Sequence, residues 1–163
     1  MTIRATGQKS ARRRLAVAAC GWTGMLLACS LCAAAAAAVD KLATSTQASL
    51  QARDRCQTLM HEDSLAFARC VDALLRGVSA GTLRDRSSRL GISYYGWLAA
   101  TAAAKNGLPT AENTALHFLH EFRPIQRQLR ISDDELCATI PGDCVARIAR
   151  LKQMEHEAPM PER

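Results

Sequence analysis

Arg12, Arg13 and Arg14 run directly into an uncharged stretch from Leu15 to Val39 that closes with six consecutive alanines before Val39. A basic segment followed by an apolar core and small residues is the layout of an export signal. It constrains the fold by subtraction, because it takes residues 1–38 out of any packed core and delivers the rest across a membrane. Three treatments of the segment fit the residues. Leu26, Leu27, Ala28 and Cys29 form a small-residue site ending at a cysteine, which gives a lipoprotein leader to residue 28 and lipidation of Cys29. Cleavage after Ala38 releases a chain beginning at Val39. Retention makes an anchor, since 25 uncharged residues reach across a hydrocarbon core of ~30 Å. All three predict residues 39–163 as a single exported domain in the periplasm, free or attached to the outer or inner membrane.

Removing the leader changes the electrostatics. The whole chain carries 21 basic and 15 acidic side chains, but five of the basic ones and none of the acidic ones precede residue 39. The exported part is therefore close to neutral. Affinity for nucleic acid comes largely from neutralising many phosphates, so no nucleic-acid partner is expected.

Cys20, Cys29 and Cys32 fall in the leader, whereas Cys56, Cys70, Cys137 and Cys144 fall in the exported part. An even set in an oxidising compartment predicts two structural disulfides. Three pairings are open, and the most local joins Cys56 to Cys70 and Cys137 to Cys144. Redox chemistry needs a resolving thiol close by and a depressed thiolate pKa. Six residues separate Cys137 from Cys144, and the Cys29, Cys32 pair at Cys-x-x-Cys spacing lies inside the leader.

The exported part reads as all-α, a small helical bundle or set of helical hairpins stapled by disulfides. Residues 44–61 predict a helix with Leu50, Cys56 and Leu59 inward. Asp63 caps a second, with Phe67, Cys70, Val71, Leu74 and Leu75 as its apolar stripe and Gly77 as its stop. Residues 79–93 alternate small and charged side chains and suit a loop or a short surface helix. An aromatic cluster and an alanine run then lead to Gly107 and Pro109. Thr110 is placed to cap a longer helix through Leu116, Leu119, Phe122, Ile125 and Leu129, with a kink or a break near Pro124. Ser132 and Glu135 resemble a capping box, and Val145, Ile148 and Leu151 mark the last stripe.

Among candidate sites, His117, His120 and Glu121 share helical spacing that metal ligands would need, but exposed helix histidines account for them, and no metal or other cofactor is assigned. No nucleophile, base and oxyanion set assembles, and no catalytic residue is assigned. Tyr94, Tyr95 and Trp97, with Arg84, Arg86 and Arg89 as a polar rim, form the candidate interface, since Tyr, Trp and Arg are favoured at binding hot spots.

Cys56, then Phe67, Cys70, Leu75, Gly77 and Val78, and later Cys137 and Pro141 ahead of the Val145, Ile148, Leu151 helix, resemble the small periplasmic immunity proteins of type VI secretion. Val71 and Asp72 stand where that family has a Gly-Tyr step. The resemblance implies a helical protein that neutralises a toxic effector in the periplasm. The residues themselves favour a broader expectation, a non-enzymatic protein-binding or assembly component of the bacterial envelope, partnered by another envelope or secreted protein. A small thiol- or metal-dependent enzyme is the remaining alternative.

Overall fold

The computed structural model describes residues 25–158, with side chains from Val39 onward. The basic segment of the export signal lies outside the described residues, and Cys29 lies where side chains are not described. The chain divides into units Met1–Ala34 and Ala35–Arg163, and the helical core belongs to the second. Six helices are described: α1 (Met25–Met60), α2 (Ser64–Arg76), α3 (Leu83–Lys105), α4 (Ala111–Leu129), α5 (Asp133–Ala138) and α6 (Cys144–Glu157). The all-α expectation holds for them. Among the described residues no helix is long and apolar enough to cross a membrane.

The disulfides take the local pairing, Cys56 with Cys70 and Cys137 with Cys144. The first joins α1 to α2. Asp63 begins α2 as expected, its carboxylate accepting the Leu65 N–H at 2.8 Å. On α1 the buried positions up to Cys56 are small (Ser45, Ala48, Ser49, Ala52 and Cys56), with Met60 buried at the end of the helix. They recur at three and four residues, which defines one helix face. Leu50 falls outside that face and is exposed, contrary to the sequence expectation.

Residues 79–93 are the main correction. They belong largely to α3, which starts at a complete capping box between Thr82 and Asp85 and continues for 23 residues. Its residues 90–97 are all buried. A helix enclosed on every side has no polar face, so the 3.6-residue stripe that reveals a surface helix is missing. Its polar residues are accommodated internally: Ser87 and Ser93 hydroxyls donate to the carbonyls of Leu83 and Arg89. Gly91 lies against the backbone of Ser45 on α1, where a methyl group would overlap the Ser45 carbonyl, and Ser49 Oγ lies 2.8 Å from the Gly91 carbonyl. Gly96 lies under the Phe118 ring of α4; a Cβ there would come within 2.8 Å of it. The two glycines let α1 and α4 close onto α3.

Helix α4 runs through Pro124 as one helix, where the sequence predicts a kink or a break. Pro124 is solvent-exposed, so its ring meets water on the outer side. Thr110 adopts a left-handed conformation and makes no side-chain cap. Its hydroxyl lies 2.6 Å from that of Ser64 instead, tying the start of α4 to the start of α2. The Ser132–Glu135 capping box of α5 forms as expected. In α6, Leu151 and Met154 face the core while Val145 is 81% exposed, opposite to its expected inward position.

Candidate functional site

Tyr94 and Trp97 do not form a surface. Both are buried, with Trp97 1% exposed, because α3 is the central helix and each direction around it meets a neighbour. Tyr94 stacks on Trp97 at 5.8 Å between centroids and meets the Phe122 edge at 5.5 Å. Tyr95, on another side of α3, packs edge-on against Phe67. The arginines are equally committed elsewhere. Arg89 donates to the carbonyls of Leu75 and Val78 at the end of α2 and pairs with Glu121. Arg84 is exposed on the first turn of α3, thirteen residues before Trp97, which is about 20 Å along the helix. Arg86 is half-buried, and its Nε has no hydrogen-bond partner among the described residues. They therefore do not rim the aromatic cluster. His117 faces Asp72 at 2.9 Å, so two of the three residues with metal-like spacing, His117 and Glu121, are engaged by other helices.

The polar centre of the fold is Arg123 on α4, which is buried. Its guanidinium donates to both carboxylate oxygens of Glu155 on α6 at 2.8 and 2.7 Å, to Asp133 on α5, and to the Gln126 side-chain oxygen at 2.7 Å. Gln126 passes the network on, its amide donating to Asp133 and to the Ile131 carbonyl. Burial raises the Asp133 pKa, but the hydrogen bonds from Arg123 and Gln126 outweigh it and hold the carboxyl below its ordinary value. Burial likewise disfavours the Arg123 cation, and bonds to Glu155 and Asp133 reverse the effect. Arg123 thereby ties α5 and α6 to α4, with the more exposed Arg127 a second α4 partner of Glu155 at 3.6 Å, because separating either helix would strand charge in a partly dry site.

That attachment shapes a cleft of about 260 Å³ between α3 and the first half of α6. Trp97, Thr101 and Lys105 line the α3 wall, while Asp143, Ala146, Arg147 and Arg150 line the other. Positions 97, 101 and 105 are four residues apart and so stack on one face. Trp97 Nε1 and Thr101 Oγ1 are buried from solvent and have no partner among the described residues. A buried donor left unpaired costs ~1–3 kcal/mol. The Arg147 guanidinium donates to the carbonyls of Ile140 and Pro141 at 2.7 and 2.6 Å, which orients it without cancelling its charge. Arg150 pairs with the exposed Glu112 at 2.8 Å. The Asp143 carboxylate accepts the Ala146 N–H as the cap of α6. No protein-family model, curated protein or solved structure matches the chain.

The cleft is rich in donors and positive charge and holds one carboxylate, already used as a cap. Its chemistry suits an anionic acceptor. Its volume lies below the ~300–1,000 Å³ typical of pockets that enclose a small molecule. Val145, on the first turn of α6, is an exposed apolar residue, but it lies on the opposite side of the helix from the Ala146, Arg147 and Arg150 face. The expected α6 stripe of Val145, Ile148 and Leu151 leaves Arg147 and Arg150 off it, and Thr101 and Lys105 went unmarked. Their signal was present, since a hydroxyl and an ammonium at four and eight residues after Trp97 interrupt an alanine run on Trp97's own face.

Proposed function

We propose that the chain is a non-enzymatic protein-binding or assembly component of the bacterial envelope, carried across the inner membrane by its N-terminal segment. The observation that carries this reading is the α3–α6 cleft, an open recess with Lys105, Arg147 and Arg150 on its walls. Such a recess suits one inserted side chain of a partner, surrounded by rim contacts. Two disulfides in a small helical domain accord with an oxidising compartment. Attachment through a Cys29 lipid, release at Val39 or retention of the apolar segment set where in the envelope the domain sits.

A narrower version, immunity against a secreted effector, is favoured by the Cys56–Cys70 bond, which closes the hairpin carrying the resemblance to type VI immunity proteins. The two versions differ in partner: a standing envelope assembly or a single toxin. The test is photo-cross-linking in cells of a Gram-negative host from an amino acid placed at Ala146, which is exposed and lines the cleft. A discrete adduct with one envelope or secreted protein, lost when the probe is moved to exposed Leu65 on α2, is the expected result. No adduct at Ala146 above the Leu65 background would refute the assignment of this face. Intact mass of the same protein, before and after reduction, distinguishes a lipid-bearing Cys29 terminus from one at Val39.

A further inference from the structure

We propose that α5 and α6 form one rigid flap that swings away from α3 while staying tethered to α4, so that the native protein opens onto Tyr94 and Trp97 without unfolding. The inference concerns the free protein and does not rest on the binding reading above. Three observations carry it. The two helices are built as a unit: the Cys137–Cys144 bond joins them, Arg147 on α6 donates to the Ile140 and Pro141 carbonyls between them, and their backbones contact each other more than they contact any other helix. The hydrogen-bonded ties of this unit run to α4, where Arg123 and Gln126 hold Asp133, Arg123 and Arg127 hold Glu155, and Glu112 holds Arg150. The covalent link to α4 is residues 130–132. The seam with α3 is different. Arg147 lies beside the Tyr94 phenol there, but Trp97 Nε1 and Thr101 Oγ1 are shut from water with no partner among the described residues. Nor is the seam filled: a recess of about 10 Å³ separates Tyr94 and Trp97 from Leu136 and Leu151, and the 260 Å³ cleft continues beside it.

The two sides of the flap therefore resist separation unequally. Lifting it from α3 re-exposes apolar surface on Tyr94, Trp97, Leu136 and Leu151, but it also lets water reach the Trp97 N–H and the Thr101 hydroxyl, whose lack of partners penalises the closed form. Lifting it from α4 strands Asp133 and Glu155 away from Arg123. The least costly motion is a rotation about the α4 contacts. Openings of this kind lie below global unfolding in free energy, and α6 keeps its own backbone hydrogen bonds as it moves. That last point separates a swinging flap from a fraying one.

The experiment is hydrogen exchange of the full chain in deuterium oxide, followed by nitrogen–proton correlation NMR. It compares the Trp97 indole N–H with the backbone amides of α3 and α6. Loss in Trp97→Phe assigns the indole signal and separates it from that of Trp22. Burial alone protects this N–H, since it has no hydrogen-bond partner among the described residues, so its exchange reports each opening of the seam. Its protection should be about tenfold or more below that of the slowest α3 amides and of the Leu151 and Met154 amides in α6. Thr101→Val removes one unpaired group at nearly constant shape and should slow indole exchange by about tenfold. Arg123→Ala cuts the tether and should lower the protection of the α6 amides by about tenfold more than that of the α3 amides. An indole as protected as the slowest α3 amides overturns the opening. Leu151 and Met154 amides that exchange in step with the indole show α6 unfolding and overturn the rigid flap. Unchanged indole exchange in Thr101→Val, or equal losses in α3 and α6 in Arg123→Ala, overturns the assignment of seam and tether.

Discussion

Replacing Arg123 by alanine removes the buried cation between α4, α5 and α6 and leaves Asp133 with the Gln126 amide and Glu155 with the exposed Arg127 at 3.6 Å. Breaking a buried pair by deleting one partner costs ~3–5 kcal/mol. Each carboxylate here retains 25% side-chain exposure and regains some water, so the expected loss is at the lower end, about 3 kcal/mol. Unfolding entropy of ~2.1 cal/mol/K per residue makes 1 kcal/mol worth ~4 °C in a domain of this size. The melting midpoint should therefore fall by about 10–15 °C in thermal circular dichroism with the disulfides intact. The pH dependence separates charge from packing. Asp133 has its folded pKa depressed, so its contribution is present above the unfolded value, ~3.9, and is lost as pH falls through the folded one. The stability gap between wild type and Arg123→Ala should be full at pH 7 and shrink below about pH 4. A gap of equal size at pH 3 and pH 7 would show that the arginine stem, and not its charge, holds the helices.

Two further substitutions test the packing around the same helices. Gly91→Ala gains ~1 kcal/mol of helix propensity but drives a methyl into the Ser45 backbone, where overpacking costs ~1–3 kcal/mol or more; net destabilisation in urea unfolding is expected, and a more stable variant would disprove the close α1–α3 approach. Replacing Cys137 and Cys144 by serine should cost ~2–3 kcal/mol and speed amide hydrogen exchange in the first turn of α6, where Cys144 stands; unchanged exchange there would mean that Asp143 alone fixes that turn.

Sequence and structure agree where a residue's role is local. Asp63 as cap, Ser132 with Glu135 as capping box and Gly77 at the end of α2 each act within a few residues of themselves, and all were legible. The shorter disulfide loops were one of three pairings, and only tertiary approach selects among them. The central helix was not legible in its first half because enclosure erases amphipathicity: residues 90–97 include two glycines, one serine and three aromatics, all buried. The same enclosure explains the misplaced interface. Large aromatics pointing in several helix directions suggest a surface only when the helix is assumed to have an outer face.

The site was half-legible for a related reason. The face shared by Trp97, Thr101 and Lys105 is written in their spacing, but which helix opposes it is decided by Arg123, Asp133 and Glu155, residues distant in sequence. The second wall is set by equally specific local means. Gly142 takes a φ of +145°, accessible to glycine at little cost, and any side chain there would overlap the Arg147 guanidinium. The neighbouring disulfide fixes Cys144 at the first position of α6, and the Ile140 and Pro141 carbonyls hold the arginine fork in place. These bonds order the Arg147 side chain in the free protein, which spares ~0.5–1.5 kcal/mol of side-chain ordering in any contact it makes. Lys105, exposed at the end of α3, has no such restraint. The cations of the cleft therefore differ in kind: Arg147 is fixed in direction by backbone carbonyls, Arg150 is paired with Glu112, and Lys105 is free to move.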